Sequence, residues 1–164
     1  MENSFRDRLT FDAAAGALMD QTRRYMLIRP EALMGIFRRL PALERQQALA
    51  ALGQSILEQG ADSARAYAAM GGGGAALAET VAATAPQLGW GIWRFELGDD
   101  AIRLEVRNSP FAAGHGPSAT PVCHAIAGML QAVSGMVMGR PTLARELACL
   151  ACGAPACRFE ALPA

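Results

Sequence analysis

The chain contains no lysine: all fifteen of its basic residues are arginine. That excludes a Schiff-base lysine, a pyridoxal-phosphate anchor and the lysine of a phosphate-binding P-loop. Charge of either sign is sparse, at 18% of residues, and the formal net charge is +0. Such a balance implies no basic face broad enough to hold DNA or RNA, so no nucleic-acid partner is expected. Long apolar runs are missing too, and none reaches the ~18 residues of a membrane-crossing helix. The opening MENSFRDRLTFD is charged with no apolar segment behind it, which argues against a secretory leader and for a cytoplasmic setting.

What is present is apolar bulk, 52% of 164 residues, enough for one domain with a real core. The expected unit is 1–164, with residues 1–22 forming an N-terminal arm and a short helix. That helix is read over Asp12–Asp20, with Asp12 as its cap. RRYMLIRP, Arg23–Pro30, reads as a strand. Pro30 suits a first helical turn, so PEALMGIFRRL starts a helix with Leu33, Ile36, Phe37 and Leu40 as its buried stripe. A second helix is expected over Ala42–Gln59, ended by Gly60, and a short third over Ala61–Met70. The run Gly71–Gly74 follows no strand and precedes no lysine, so it reads as a pliable inter-helix loop rather than a phosphate cradle. Ala75–Ala85 is a further helix, halted by Pro86.

The hydrophobic period then changes from about 3.6 to 2. GWGIWRFEL and AIRLEVRN form a β-hairpin about Gly98-Asp99-Asp100, with Trp93, Phe95 and Leu97 on one face and Ile102, Leu104 and Val106 inward. Arg103, Glu105 and Arg107 fall on a wet outer face. NSPFAAGHGPSA reads as a loop. Thr120 and Pro121 signal a helix start, and Val122, Ile126, Met129, Val133, Met136 and Val137 form its stripe up to Gly139. Gly128, Ser134 and Gly135 leave low spots for a neighbouring backbone. Cys123 then falls in the first turn, where free amides favour a thiolate.

All four cysteines lie between residues 120 and 160. TLARELAC and ACRFEAL read as a second hairpin folding about Gly153, which sets Cys149 opposite Cys157 and Leu147 opposite Phe159. Cys123, Cys149 and Cys157 with the carboxylate of Glu146 make a tetrahedral zinc shell. Glu146 and Cys149 have opposite parity on an ideal strand, so one of them must sit at a bulge or past the strand end. Cys152, spaced C-x-x-C from Cys149, is the rival fourth ligand. Free buried cysteines, or a Cys149–Cys157 disulfide, are the alternatives to metal.

Cys123, Gly139-Arg140-Pro141, Glu146-x-x-Cys149, Gly153 and Cys157-Arg158-Phe159 together resemble the 4-vinyl reductase domain family. That family includes the phenol- and xylene-sensing domains of bacterial activators and a bacteriochlorophyll-biosynthesis protein. Its fold is similar to that of one class of TRAPP vesicle-tethering subunits. The resemblance implies an α+β fold: helices packed on an antiparallel sheet, with a helix and hairpin over 120–160 closed on zinc. It implies a metal set of Cys123, Glu146, Cys149 and Cys157, with Cys152 left out. It also implies a homodimer. A tryptophan that helps to hold the phenolic hydroxyl in the sensors is matched here by Arg107, a departure that points away from a simple phenol.

Four protein ligands make the zinc structural rather than catalytic. The expected function is therefore a zinc-containing module that senses or carries a hydrophobic or aromatic ligand. Its internal pocket is expected to involve Tyr25, Phe37, Trp93, Phe95, Arg107 and Met129. Ending at Ala164 without an ATPase or a DNA-binding helix-turn-helix, the chain is expected to signal through a separate partner. An alternative is an accessory protein or tetrapyrrole carrier in bacteriochlorophyll synthesis, with no catalytic residue of its own and no nicotinamide or flavin motif. Another is a TRAPP-like interaction subunit binding an acyl chain. His115 and His124 read as surface or supporting residues.

Overall fold

Two β-hairpins and one buried helix make the centre of the molecule. The computed structural model describes residues 4–71 and 73–164. Strands β4 (Ile92–Leu97) and β5 (Ile102–Arg107) form the first hairpin, β6 (Thr142–Ala148) and β7 (Cys157–Pro163) the second. They join into a four-stranded antiparallel sheet of order β4-β5-β7-β6. Alternation does the sorting: Ile102, Leu104, Val106, Cys157, Phe159 and Ala161 are buried on the inner face. On the outer face Arg103 pairs with Glu160 at 3.1 Å and Arg158 with Glu105 at 3.5 Å, across neighbouring strands.

Helix α6 (His124–Met138) packs on β6 and β7, and the long helix α3 (Ala42–Gly71) packs on α6. A Cβ on Gly128 would meet the carbonyl oxygen of Gly53, and one on Gly53 would lie 2.8 Å from the His124 carbonyl oxygen. The backbones of the two helices are therefore in direct contact, with Gly128 as the expected low spot. Val122, Ile126 and Val133 are fully buried, whereas Met129, Met136 and Val137 of the expected stripe are half-buried and Leu130 joins the core. Gly139 ends α6 in the left-handed region at φ 64°.

Several expectations need correction. Gly60 does not end a helix: α3 runs through it, because its bare Cα is a notch for Met129, whose Cε would lie 2.9 Å from a Cβ there. Of Gly71–Gly74, Gly71 closes α3, Gly73 and Gly74 lead into α4 (Ala75–Thr84), and Gly72 lies outside the described residues. Residues 1–3 of the expected arm also lie outside them. The arm itself holds a turn of helix, α1 (Phe5–Arg8), closed by a Ser4–Asp7 capping box.

Asp12–Asp20 is a hairpin, not a helix, formed by β1 (Thr10–Asp12) and β2 (Ala17–Asp20). Asp12 does cap, but a turn: its carboxylate accepts from the amides of Ala14 and Ala15 at 2.9 and 3.0 Å. The strand expected over Arg23–Pro30 stops at Tyr25 as β3 (Arg23–Tyr25), leaving Met26–Arg29 extended and exposed before α2 (Pro30–Arg38). Within α2 the buried face is Met34, Gly35 and Phe37; Ile36 is exposed. NSPFAAGHGPSA contains a helix, α5 (Pro110–His115), for which the turn formers serve as caps: Ser109 accepts from Ala112, and Gly116 stops it at φ 75°.

Candidate metal centre and apolar cavity

Cys123 is the N-cap of α6, Glu146 and Cys149 lie at the end of β6, and Cys157 opens β7. The helix thus starts three residues later than Thr120-Pro121 suggested; the Thr120 hydroxyl instead accepts from Gln46 Nε2 at 2.7 Å. Glu146 pairs with Phe159 but Ala148 with Arg158, so a bulge at Leu147 resets the strand. This corrects the expected Leu147–Phe159 pairing and turns both Glu146 and Cys149 inward despite their opposite parity.

One ligand atom from each of Cys123, Glu146, Cys149 and Cys157 lies within 4.8 Å of the other three. The three thiols are buried, with Cys123 Sγ 3.9 Å from Cys149 Sγ and 3.6 Å from Cys157 Sγ. Those separations are far beyond the ~2.05 Å of a disulfide. They match the roughly 3.8 Å edge of a tetrahedron with metal–sulfur bonds of about 2.3 Å. Glu146 Oε2 accepts from the Cys123 amide at 2.9 Å, while its Oε1 is buried without any hydrogen-bond partner. A buried carboxylate oxygen left unpaired beside three thiols is what a missing cation would satisfy.

The electrostatics agree. Contact with Cys149 and Cys157, together with burial, pushes the Cys123 thiol well up, contrary to the thiolate expected of it. Hydrogen bonds from Cys123 and Cys157 hold the Cys149 thiol well down. Cys157 is lowered by Cys123 but raised more by Cys149 and burial, ending at about 12. Burial, then the charge of Cys149, pushes Glu146 up to about 8. The cage by itself therefore disfavours four ionised donors, and a divalent ion would let them ionise together. Soft thiolates in tetrahedral spacing fit zinc.

Further donors hold the sulfurs in place. Ser109 Oγ lies 3.3 Å from Cys123 Sγ, and the Leu150 amide donates to Cys157 Sγ at 3.3 Å. Ser109 went unnoticed in the sequence, although its place before Pro110 marks a helix cap. Cys152 is exposed at the end of a 3-10 turn, Leu150–Cys152, and stands outside the four-residue cluster. His115 is buried at the end of α5 with Nε2 unpartnered, and His124 is the first residue of α6. Neither belongs to the cluster.

A cavity of about 350 Å³ lies between the N-terminal hairpin sheet, α3, α4 and α6. Tyr25, Trp93 and Met129 line it as expected, whereas Phe37, Phe95 and Arg107 do not. Phe37 is buried in the core, and Arg107 projects from the sheet's outer face to Glu105 at 3.1 Å. Sequence reasoning missed Trp90, which sits just ahead of β4 and stacks edge-on against Phe111 at 5.0 Å.

Residues 102–163 match the family model of the V-4-R domain, the 4-vinyl reductase domain. A segment of 62 residues is 40% identical to the bacteriochlorophyll synthase 23 kDa chain of Cereibacter sphaeroides, covering 38% of this chain but only 30% of that protein. Among solved structures, the phenol-responsive sensory domain of the transcription activator PoxR, in complex with phenol, superposes with a TM-score of 0.78 at 21% identity, over 96% of this chain and 86% of that one. A vinyl-4-reductase family protein from Methanocaldococcus jannaschii has a TM-score of 0.54 at 15% identity, over 85% of this chain and 98% of that one. The resemblance drawn from the C-terminal motif therefore holds: residues 102–163 match the 4-vinyl reductase domain, carried on an α+β fold shared with a phenol-responsive sensory domain.

Proposed function

We propose that residues 1–164 form one small-molecule-binding domain, a sensor or carrier, whose C-terminal half is fastened by a structural zinc ion. The supporting observation is that one helix serves both features. Cys123, Cys149, Cys157 and the unpaired oxygen of Glu146 converge at the start of α6, and Met129 of α6 lines the apolar cavity. Zinc at these four donors would tie α6, β6 and β7 together and supply folding free energy, with no open position for water. The shared fold with a phenol-responsive sensory domain supports the sensor reading, and a homodimer is part of the same proposal.

Metal analysis of the purified chain tests the clasp, with one zinc per chain expected. A metal-free, fully folded protein would refute it. The cavity is tested with Nile red, a neutral apolar dye, whose emission should shift to the blue on binding. The similarity to a bacteriochlorophyll synthase chain favours a second reading, an accessory protein or carrier for a tetrapyrrole. A change in the visible spectrum of added protoporphyrin would support it, and an unchanged spectrum would count against it.

A further inference from the structure

We propose that the cavity's ligand is a long apolar monocarboxylate, its hydrocarbon body among the tryptophans and its carboxylate on Arg29. This rests on the cavity being a ligand site, as proposed above. A second hollow, of about 420 Å³, adjoins the first of about 350 Å³. Met26, Leu27, Leu88 and Trp90 line both, so a single molecule can run from one into the other past these four side chains. At the ~30 Å³ share of a water molecule, the first hollow alone takes about 12 non-hydrogen atoms, well beyond a single phenol ring.

Charge decides the chemistry. Among the described residues no charged side chain lines the first hollow, and some of its polar groups are already committed. The Thr84 hydroxyl donates to the Thr80 carbonyl at 2.8 Å, and Gln87 Oε1 accepts from the Arg6 amide at 3.2 Å. Among the described residues the second hollow has one charged residue, Arg29, and neither lining contains an acid. A ligand filling both must be uncharged along its length, because a charge placed elsewhere would be desolvated without a partner, and the mostly apolar walls favour a hydrocarbon body. Its one tolerable charge is an anion at the Arg29 end, where a guanidinium matches a carboxylate fork. Met26 and Leu27, 77% and 91% exposed at the junction, are apolar surface that such a chain would cover.

Arg29 can be replaced without disturbing the fold. Its side chain makes no capping bond at the start of α2, and its ion pair is with exposed Glu31 at 3.5 Å. The chain's two tryptophans, Trp90 and Trp93, both line the first hollow, so their fluorescence reports occupancy. The full-length chain should be titrated at pH 7.5 with dodecanoate and with 1-dodecanol. Both should quench, the acid binding about five-fold more tightly, an advantage expected of one solvent-exposed charge-assisted contact. Arg29→Gln should bring the acid to the level of the alcohol and leave the alcohol unchanged. Glu31→Gln should tighten the acid by removing a competing carboxylate. Equal affinity for acid and alcohol, or an Arg29→Gln that weakens both alike or neither, overturns the proposal while the cavity stands. If Nile red and both dodecyl compounds all fail to bind, the ligand-site reading falls first and this proposal with it.

Discussion

Glu146 does two jobs with one carboxylate: Oε2 takes the Cys123 amide, and Oε1 is left for a cation. Its place beside three thiols governs how the cage responds to pH. Glu146 is raised from an ordinary 4.5 to about 8, so in metal-free protein its stabilising neutral form is lost as pH climbs through that window. Cys149 is shifted down, so its contribution runs the other way and is lost as pH falls. Between pH 4.5 and 8 the two slopes oppose each other, so the chelated protein should change less in melting temperature than the loaded one. A zinc ion bound there would have to displace the protons held by Glu146, Cys123 and Cys157, so zinc-loaded protein should lose melting temperature steadily from pH 8 to 5.5. Parallel melts with and without chelator check this, and identical pH profiles would contradict it. Cys149→Ser should abolish stoichiometric zinc, and Cys152→Ser should leave it unchanged. Loss of zinc from the second variant would move the fourth ligand to Cys152. That Cys123, Glu146, Cys149 and Cys157 come together was legible because three cysteines close in sequence around one acid form a recognisable pattern. Ser109 was not, because a serine's hydrogen bond to a distant sulfur leaves no local pattern.

Among the elements, the sheet was read well because alternation is a local signal: Ile102, Leu104 and Val106 point inward wherever the strand is placed. The helices were read less well where glycine was taken as punctuation. Gly60 and Gly128 are both contact sites inside helices, and they should respond differently to a methyl group. Gly128→Ala drives a Cβ into the backbone of α3 at Gly53, which cannot give way locally. It should cost about 3 kcal/mol in denaturant unfolding, at the upper end of overpacking penalties. Gly60→Ala meets only the flexible end of Met129, and alanine's helix preference of roughly 1 kcal/mol should offset the crowding. Equal losses in the two variants would argue against backbone contact between α3 and α6. The N-terminal hairpin was missed because Asp12 is a good helix cap and the alanines after it are good helix formers. Tertiary contact prevails: Phe5 of α1 meets Tyr25 of β3 edge-on at 5.3 Å, and the Arg6 amide donates to Gln87 Oε1 at 3.2 Å.

Across the whole molecule, the cage lies at one end of the chain and the N-terminal sheet at the other. The candidate metal joins the first residue of β7, the end of β6 and the start of α6, and touches nothing in the N-terminal sheet. Chelation should therefore open the C-terminal half first. Hydrogen exchange at residues 142–163 should quicken by at least about ten-fold, one pKa-unit equivalent of local free energy, while β1–β3 exchanges as before. Uniform acceleration would mean that the ion stabilises the fold as a single block. The position of the pocket was not legible, since its walls come from segments far apart in the chain. Tyr25 of β3, Trp93 of β4 and Met129 of α6 meet there from three separate elements.

The bulge at Leu147 gives the segment a length rule as well as a shape. Leu147 is 52% exposed, so its side chain can vary widely, but the residue itself acts as a spacer. Removing it would restore regular pairing and turn either Glu146 or Cys149 to the solvent face. In an evolving lineage the stretch Glu146-x-x-Cys149 should accept many substitutions at its two middle positions and no insertion or deletion. The gap pattern of a sequence comparison would then carry the imprint of the metal more sharply than residue identity between the two ligands.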